Sequence, residues 1–106
     1  MTNMLLNAPK TARKGETVEI KALILHPMET GFRPGTNGRL IPRNLIERFT
    51  ATWNGVEILD MTLSPAIAAN PFVSFFAIAT ESGRIDLHWT GDEGLRAEGS
   101  LTIAVE

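Results

Sequence analysis

The chain predicts an all-β, antiparallel sandwich, and three observations carry that prediction. Apolar residues recur with a period of two in one run after another. Glycine, proline and asparagine separate those runs at regular spacing. No stretch of helical length shows a convincing 3.6-residue period. At 106 residues the chain fits one domain, spanning 1–106, with no internal repeat or linker to divide it.

Taken in order, Asn3 to Ala8 holds Met4, Leu5 and Leu6 and predicts a short edge strand before Pro9. Lys10 to Gly15 is polar and reads as a turn. Thr17 to Leu25 alternates Val18, Ile20, Ala22 and Ile24 with Thr17, Glu19, Lys21 and Leu23, the pattern of a half-buried strand. Leu45 to Trp53 sets Phe49, Ala51 and Trp53 on one face, Asn54-Gly55 supplies the positive φ angles of a type I′ turn, and Val56 to Leu63 returns as a strand. Ser64 to Pro71 is bounded by prolines and too short for a stable helix, although its alanines would allow one turn. Phe72 to Ala79 is apolar on both faces, which predicts a central strand or a strand with one face against a partner. Arg84 to Thr90 alternates Ile85, Leu87 and Trp89 with polar residues. Gly91 to Gly94 turns, and Leu95 to Val105 is the last strand, with Gly99 expected as a bulge. The total is about seven short strands, the pattern of an immunoglobulin-like antiparallel sandwich.

One stretch departs from this regularity. His26 to Asn44 contains three prolines and three glycines, and predicts a long surface loop. Its bland reading is a proline-stiffened connection. Its sharper reading rests on Arg33, Arg39 and Arg43, planar donors suited to carboxylate or backbone recognition on a partner protein.

Composition removes several function classes. A net charge of −2 with scattered basic residues argues against nucleic acid or an anionic membrane as partner. The chain has no cysteine, so it forms no disulfide and carries no thiol nucleophile or thiolate metal ligand. The first ten residues lack the basic start and continuous apolar core of a signal peptide, so the expectation is a soluble chain that is not exported by itself.

His26 and His88 are the only histidines, and Glu29, Asp86, Asp92 and Glu93 are the carboxylates that would join them at a metal. No short ligand motif supports that grouping. No serine sits in a nucleophile elbow, and Asp92-Glu93 suits turn geometry better than glycoside chemistry. The sequence therefore assigns no catalytic residue, no metal site and no cofactor. Trp53 and Trp89 lie on apolar strand faces and are expected in the core.

Several segments together resemble a known family. They are Lys14 to Ile24, His26-Pro27-Met28-Glu29-Thr30-Gly31, Ile41-Pro42-Arg43-Asn44, Arg48-Phe49-Thr50, Asn54-Gly55 and Ala69-Asn70-Pro71-Phe72. They resemble SoxZ, the Z subunit of the thiosulfate-oxidising Sox carrier complex, across nearly the whole chain. The resemblance implies a β-sandwich that pairs, as a heterodimer or higher assembly, with a SoxY-like subunit. That subunit's C-terminal cysteine arm carries covalent sulfur intermediates to other Sox enzymes, transient partners of the pair. It also implies the periplasm, reached by co-export with a partner bearing a twin-arginine signal. Relatives often carry cysteine at the position of Ala51, and the alanine here removes only a role for that thiol.

The expected function is thus that of a non-catalytic module that binds and presents a sulfur carrier. Met28, Glu29, Arg33, Arg43 and Asn44 of the long loop, with Asn70, Phe72 and Phe75, are the expected contact residues. Two rivals stand beside it: a small metal-dependent enzyme using His26, His88 and Glu29, and a generic structural or adhesion sandwich.

Overall fold

A computed structural model describes residues 4–26, 28–63 and 70–106. The strands are β1 (Met4–Asn7), β2 (Thr11–Ala12), β3 (Thr17–Ile24), β4 (Ile46–Trp53), β5 (Val56–Thr62), β6 (Phe72–Ile78), β7 (Gly83–Gly91) and β8 (Arg96–Val105). A single 3-10 turn, Asp92–Gly94, joins the last two. One sheet has the order β1-β3-β6 and the other β2-β8-β7-β4-β5. Seven strands fall where the alternation placed them. The eighth, β2, lies in the segment read as a turn, and its two residues pair in parallel with the end of β8. Residues 64–69, within the segment bounded by prolines, lie outside the described residues.

The two sheets meet through the faces that the period-two pattern marked. From one come Val18, Ile20, Ala22 and Ile24, and from the other Phe49, Ala51, Trp53, Ile85, Leu87 and Trp89, all buried. Trp89 and Phe49 stack obliquely, with ring centroids 4.3 Å apart. The Trp53 indole N–H donates to the Glu81 carbonyl at 3.1 Å. The Asn54-Gly55 turn takes positive φ at both residues, 50° and 82°, and closes the β4–β5 hairpin with Trp53 opposite Val56. A register shift between Ala51 and Thr52 interrupts that hairpin. Ala51 itself is fully buried, so the small methyl fills a core position.

Two expectations are corrected. Gly99 is not a bulge, because β7 and β8 pair without a register shift and Gly99 lies opposite Leu87. Its missing side chain instead admits β1, since a Cβ there would come within 2.6 Å of Leu6 Cδ1 and 2.7 Å of Met4 Sδ. Both are ends of flexible side chains that can turn away, so Gly99→Ala is expected to cost no more than about 1–2 kcal/mol in urea unfolding, at the mild end of overpacking. The second correction concerns β6, which is not a central strand but the edge of its sheet. Phe72, Phe76 and Ile78 on its outer face are 60, 67 and 61% exposed.

Candidate functional site

The long loop is less free than its composition predicts. Its two ends are clipped by reciprocal backbone bonds, Glu29 N–H to Asn44 O at 2.9 Å and Asn44 N–H to Glu29 O at 2.7 Å. Farther out, Ile41 N–H donates to Arg33 O and Gly35 N–H to Arg39 O, so the segment folds back on itself as an irregular hairpin. Its root is buried. His26 and Met28 are each 6% exposed, and the Met28 N–H donates to His26 Nδ1 at 3.0 Å. Met28 adopts a positive φ of 54°, and its sulfur accepts the Ile46 N–H. Asn70 completes the root: its side-chain oxygen accepts the His26 N–H at 2.9 Å, and its own N–H donates to the His26 carbonyl at 2.7 Å.

Of the three loop arginines suited to a partner, Arg33 and Arg43 already have carboxylates within the chain. Arg33 Nε and Nη2 donate to the Glu29 carboxylate, the closest approach being 2.5 Å. Arg43 reaches Asp92 at 2.8 Å and Glu47 at 2.6 Å, and Asp92 also accepts the Leu45 N–H at 3.0 Å. These bonds lower the affinity of the acids for protons. The Arg33 hydrogen bonds hold the Glu29 carboxyl below the usual range. Hydrogen bonds from Arg43, then from the Leu45 N–H, do the same for Asp92. An acid whose folded pKa is depressed binds protons more readily when unfolded, so its stabilising effect is present above the ordinary carboxylate range and fades as pH falls through the folded value. The urea midpoint is therefore expected to fall between pH 6 and pH 3, and Asp92→Asn to make that fall shallower.

Of the eight expected contact residues, the structure exposes Arg33, Arg43, Asn70 and Phe72 and half-buries Asn44. Met28 and Glu29 are buried. Phe75 points inward and meets Phe49 edge to face, with centroids 6.1 Å apart. The exposed aromatic and aliphatic residues of β6 are thus Phe72, Phe76 and Ile78, and Phe76 and Ile78 are not among the expected contact residues. The signal that would have found them is the register with β3, which puts Phe75 opposite the inward-facing Ile20 and so turns Phe76 outward.

Beside the C-terminal half of β6 lies an apolar groove of about 410 Å³, lined by Trp53, Val56, Ile58, Phe76, Ile78 and Glu81 among others. Val56 and Ile58 come from the start of β5, at the edge of the other sheet, so the groove runs where the two sheets open on this side. Val56 is 67% exposed. A larger groove of about 790 Å³ lies on the opposite side between β1 and β8, with hydroxyls of Ser100 and Thr102 beside Leu6 and Ile103. None of the eight expected contact residues lines either groove. On the β6 side, Phe76 and Ile78 line the groove, and Phe72 is exposed farther along the same strand.

His26, His88 and Glu29 are not brought together. His88 lies on β7 with its Nδ1 3.7 Å from Glu98, while Glu29 is engaged by Arg33. Among the described residues no three histidine, aspartate or glutamate side chains converge as metal ligands would.

Among solved structures, the chain matches superoxide reductase (neelaredoxin) from Ignicoccus hospitalis with a TM-score of 0.73 at 18% identity, over 99% of this chain and 82% of that one. It matches a putative superoxide reductase from Thermotoga maritima with a TM-score of 0.75 at 18% identity, over 97% and 85%. It also matches the sulfur carrier protein SoxY from Chlorobium limicola f thiosulfatophilum, with a TM-score of 0.65 at 13% identity over 97% and 78%. At these identities the likeness establishes a shared sandwich fold. A search of curated protein sequences finds no match. The model of one family, described as sulphur oxidation protein SoxZ, matches residues 6–102, and the chain belongs to that family.

Proposed function

We propose that this chain is the non-catalytic subunit of a sulfur-carrier complex in thiosulfate oxidation, and that it binds and presents a SoxY-like subunit whose cysteine carries the sulfur. Family membership supports the pathway. The observation that carries the binding role is the exposed apolar strip of Phe72, Phe76 and Ile78 with the groove beside it. Patches of this kind on small soluble domains mark contact surfaces. The chain's own composition supports the division of labour, since a protein without cysteine cannot hold a thiol-bound sulfur adduct and needs a partner that can.

The contact surface in this proposal centres on Phe72, Phe76 and Ile78, with Asn70 at its end. Arg33 and Arg43 keep their internal carboxylates and act at most at the rim. Phe76→Ala is expected to weaken co-purification with the carrier subunit while leaving the unfolding free energy of the isolated chain within about 0.5 kcal/mol of wild type, as exposed substitutions do. Arg43→Ala is expected to leave co-purification intact. Loss of the complex in Arg43→Ala with retention in Phe76→Ala would move the interface to the loop.

The site of action belongs to the same proposal: a periplasmic complex, with this chain exported folded beside a partner that bears a twin-arginine signal. Co-expression with that partner is expected to move the chain to the periplasm. Retention in the cytoplasm under those conditions would refute co-export.

A further inference from the structure

The outer edge of β6 has a more specific property than its apolarity. The Ile24 N–H donates to the Pro71 carbonyl and the Ala79 N–H to the Glu16 carbonyl. In an antiparallel pair the bonding groups alternate, so Val73, Phe75 and Ala77 aim their N–H and C=O groups at β3. Phe72, Ser74, Phe76 and Ile78 aim theirs away from it, along about 20 Å of edge. Among the described residues none of these four outward N–H groups has a backbone partner.

The other edges of the two sheets are protected. β1 has four residues and β2 has two. β5 carries Glu57 and Asp60 and pairs with β4 through a register shift. Short length, charge and irregular pairing are the devices that keep a sheet edge from adding a strand. β6 has seven residues, Phe-Val-Ser-Phe-Phe-Ala-Ile, with no charge and no proline. It is the edge built to accept one.

We infer that the carrier subunit binds by laying an extended strand along the outer edge of β6, continuing the β1-β3-β6 sheet into the partner. The inference rests on the proposed function and names the mode of contact. The incoming strand has no charge facing β6, and it presents apolar side chains to Phe72, Phe76 and Ile78. Area agrees with this mode. Those three residues with Val56 and Ile58 leave roughly 500 Å² of apolar surface open, at about 100 Å² each. That is more than half of the ~800 Å² that each partner of a standard interface buries, and the strand backbone supplies the rest. Four outward donors and four acceptors then fix the register that apolar contact alone leaves loose.

Amide exchange followed by NMR on the wild-type chain, alone and with the co-expressed carrier subunit, reads the contact directly. The expected result is strong new protection at the N–H groups of Phe72, Ser74, Phe76 and Ile78 in the complex. Those of Val73, Phe75 and Ala77 are protected in both states. A complex that forms with no gain at the four outward amides overturns strand addition and leaves the partnership standing. If wild type forms no complex, the proposed function itself fails. Protection that instead rises with the concentration of the chain alone assigns the edge to a second copy and overturns the inference. Two variants give an independent reading. Ser74→Pro removes an outward donor without touching the ladder to β3, and is expected to weaken binding by about tenfold or more. Ser74→Ala keeps the donor and is expected to bind as wild type. Equal affinity of a folded Ser74→Pro and wild type would overturn the inference.

Discussion

Trp89→Ala is expected to destabilise the domain by about 3–5 kcal/mol, the range for removing a large aromatic from a packed core. Trp89 is fully buried in β7, which lies between β4 and β8 in the middle of the larger sheet. Its ring leans on Phe49 at 4.3 Å, and Phe49 in turn meets Phe75 of the opposite sheet. Removing the indole therefore opens a cavity where the two layers meet, and a small domain with roughly 5–15 kcal/mol of total stability loses a large share of it. Trp89→Phe separates packing from polarity. The indole N–H is buried without a partner among the described residues, and an unmade hydrogen bond there costs about 1–3 kcal/mol. Replacing the ring by phenylalanine removes that cost along with some volume, so the loss is expected to be less than half that of Trp89→Ala. Urea unfolding monitored by circular dichroism checks both. Equal losses in the two variants would contradict this account, since phenylalanine refills most of the space that alanine leaves empty.

Gly91→Ala is expected to be at least as damaging, for a different reason. Gly91 is extended, so its φ angle is open to any residue; the constraint is space. A Cβ there would overlap the carbonyl oxygen of Leu45 and press on Ile46 Cα at 2.9 Å. Both are backbone atoms at the start of β4, where a register shift between Ile46 and Arg48 brings the two chains close. A flexible side chain could swing aside, but the backbone has to move as a unit and would carry the Asp92 N–H bond to Leu45 O with it. A loss of about 3 kcal/mol or more is expected, in the class of core overpacking and broken backbone bonds. Gly38→Ala is the control. That residue sits at φ +79° with open space around it, so it incurs only the conformational cost of about 1 kcal/mol. Comparable urea midpoints for the two variants would contradict the steric account.

The sandwich was legible because its signals are local. A β-strand half in the core alternates every two residues, as β3 does throughout, β4 from Phe49 to Trp53 and β7 from Arg84 to Thr90. Asn54-Gly55 announced its own turn. What could not be read was pairing. β6 has apolar residues on both faces, and only its register with β3 decides that Phe75 faces inward and Phe76 outward. Its place at the edge of the sheet depends on strand order, which no local pattern encodes. Gly99 looked like a bulge for the same reason: its role is to admit the side chains of Met4 and Leu6, more than ninety residues away in sequence.

The candidate site shows a similar division. Proline and glycine content correctly marked His26 to Asn44 as irregular. It gave no hint that Met28 and Glu29 lie buried at the root or that Arg33 and Arg43 are held by Glu29 and Asp92. A guanidinium in a loop looks available until its carboxylate is located, and Asp92 is 49 residues from Arg43. Phe72 and Phe75 share one aromatic run, yet Phe72 is exposed and Phe75 packs against the core.

The central claim is that this chain carries no sulfur itself and works by holding a subunit that does. Co-expression with a SoxY-like subunit, followed by native mass spectrometry and then denaturing intact-mass analysis after incubation with thiosulfate and the remaining Sox enzymes, tests it most directly. The account predicts a complex containing both chains, with sulfur adducts on the partner's cysteine and the unmodified mass for this chain. A chain that remains a monomer with no affinity for the carrier subunit, or that turns over thiosulfate alone, would contradict it.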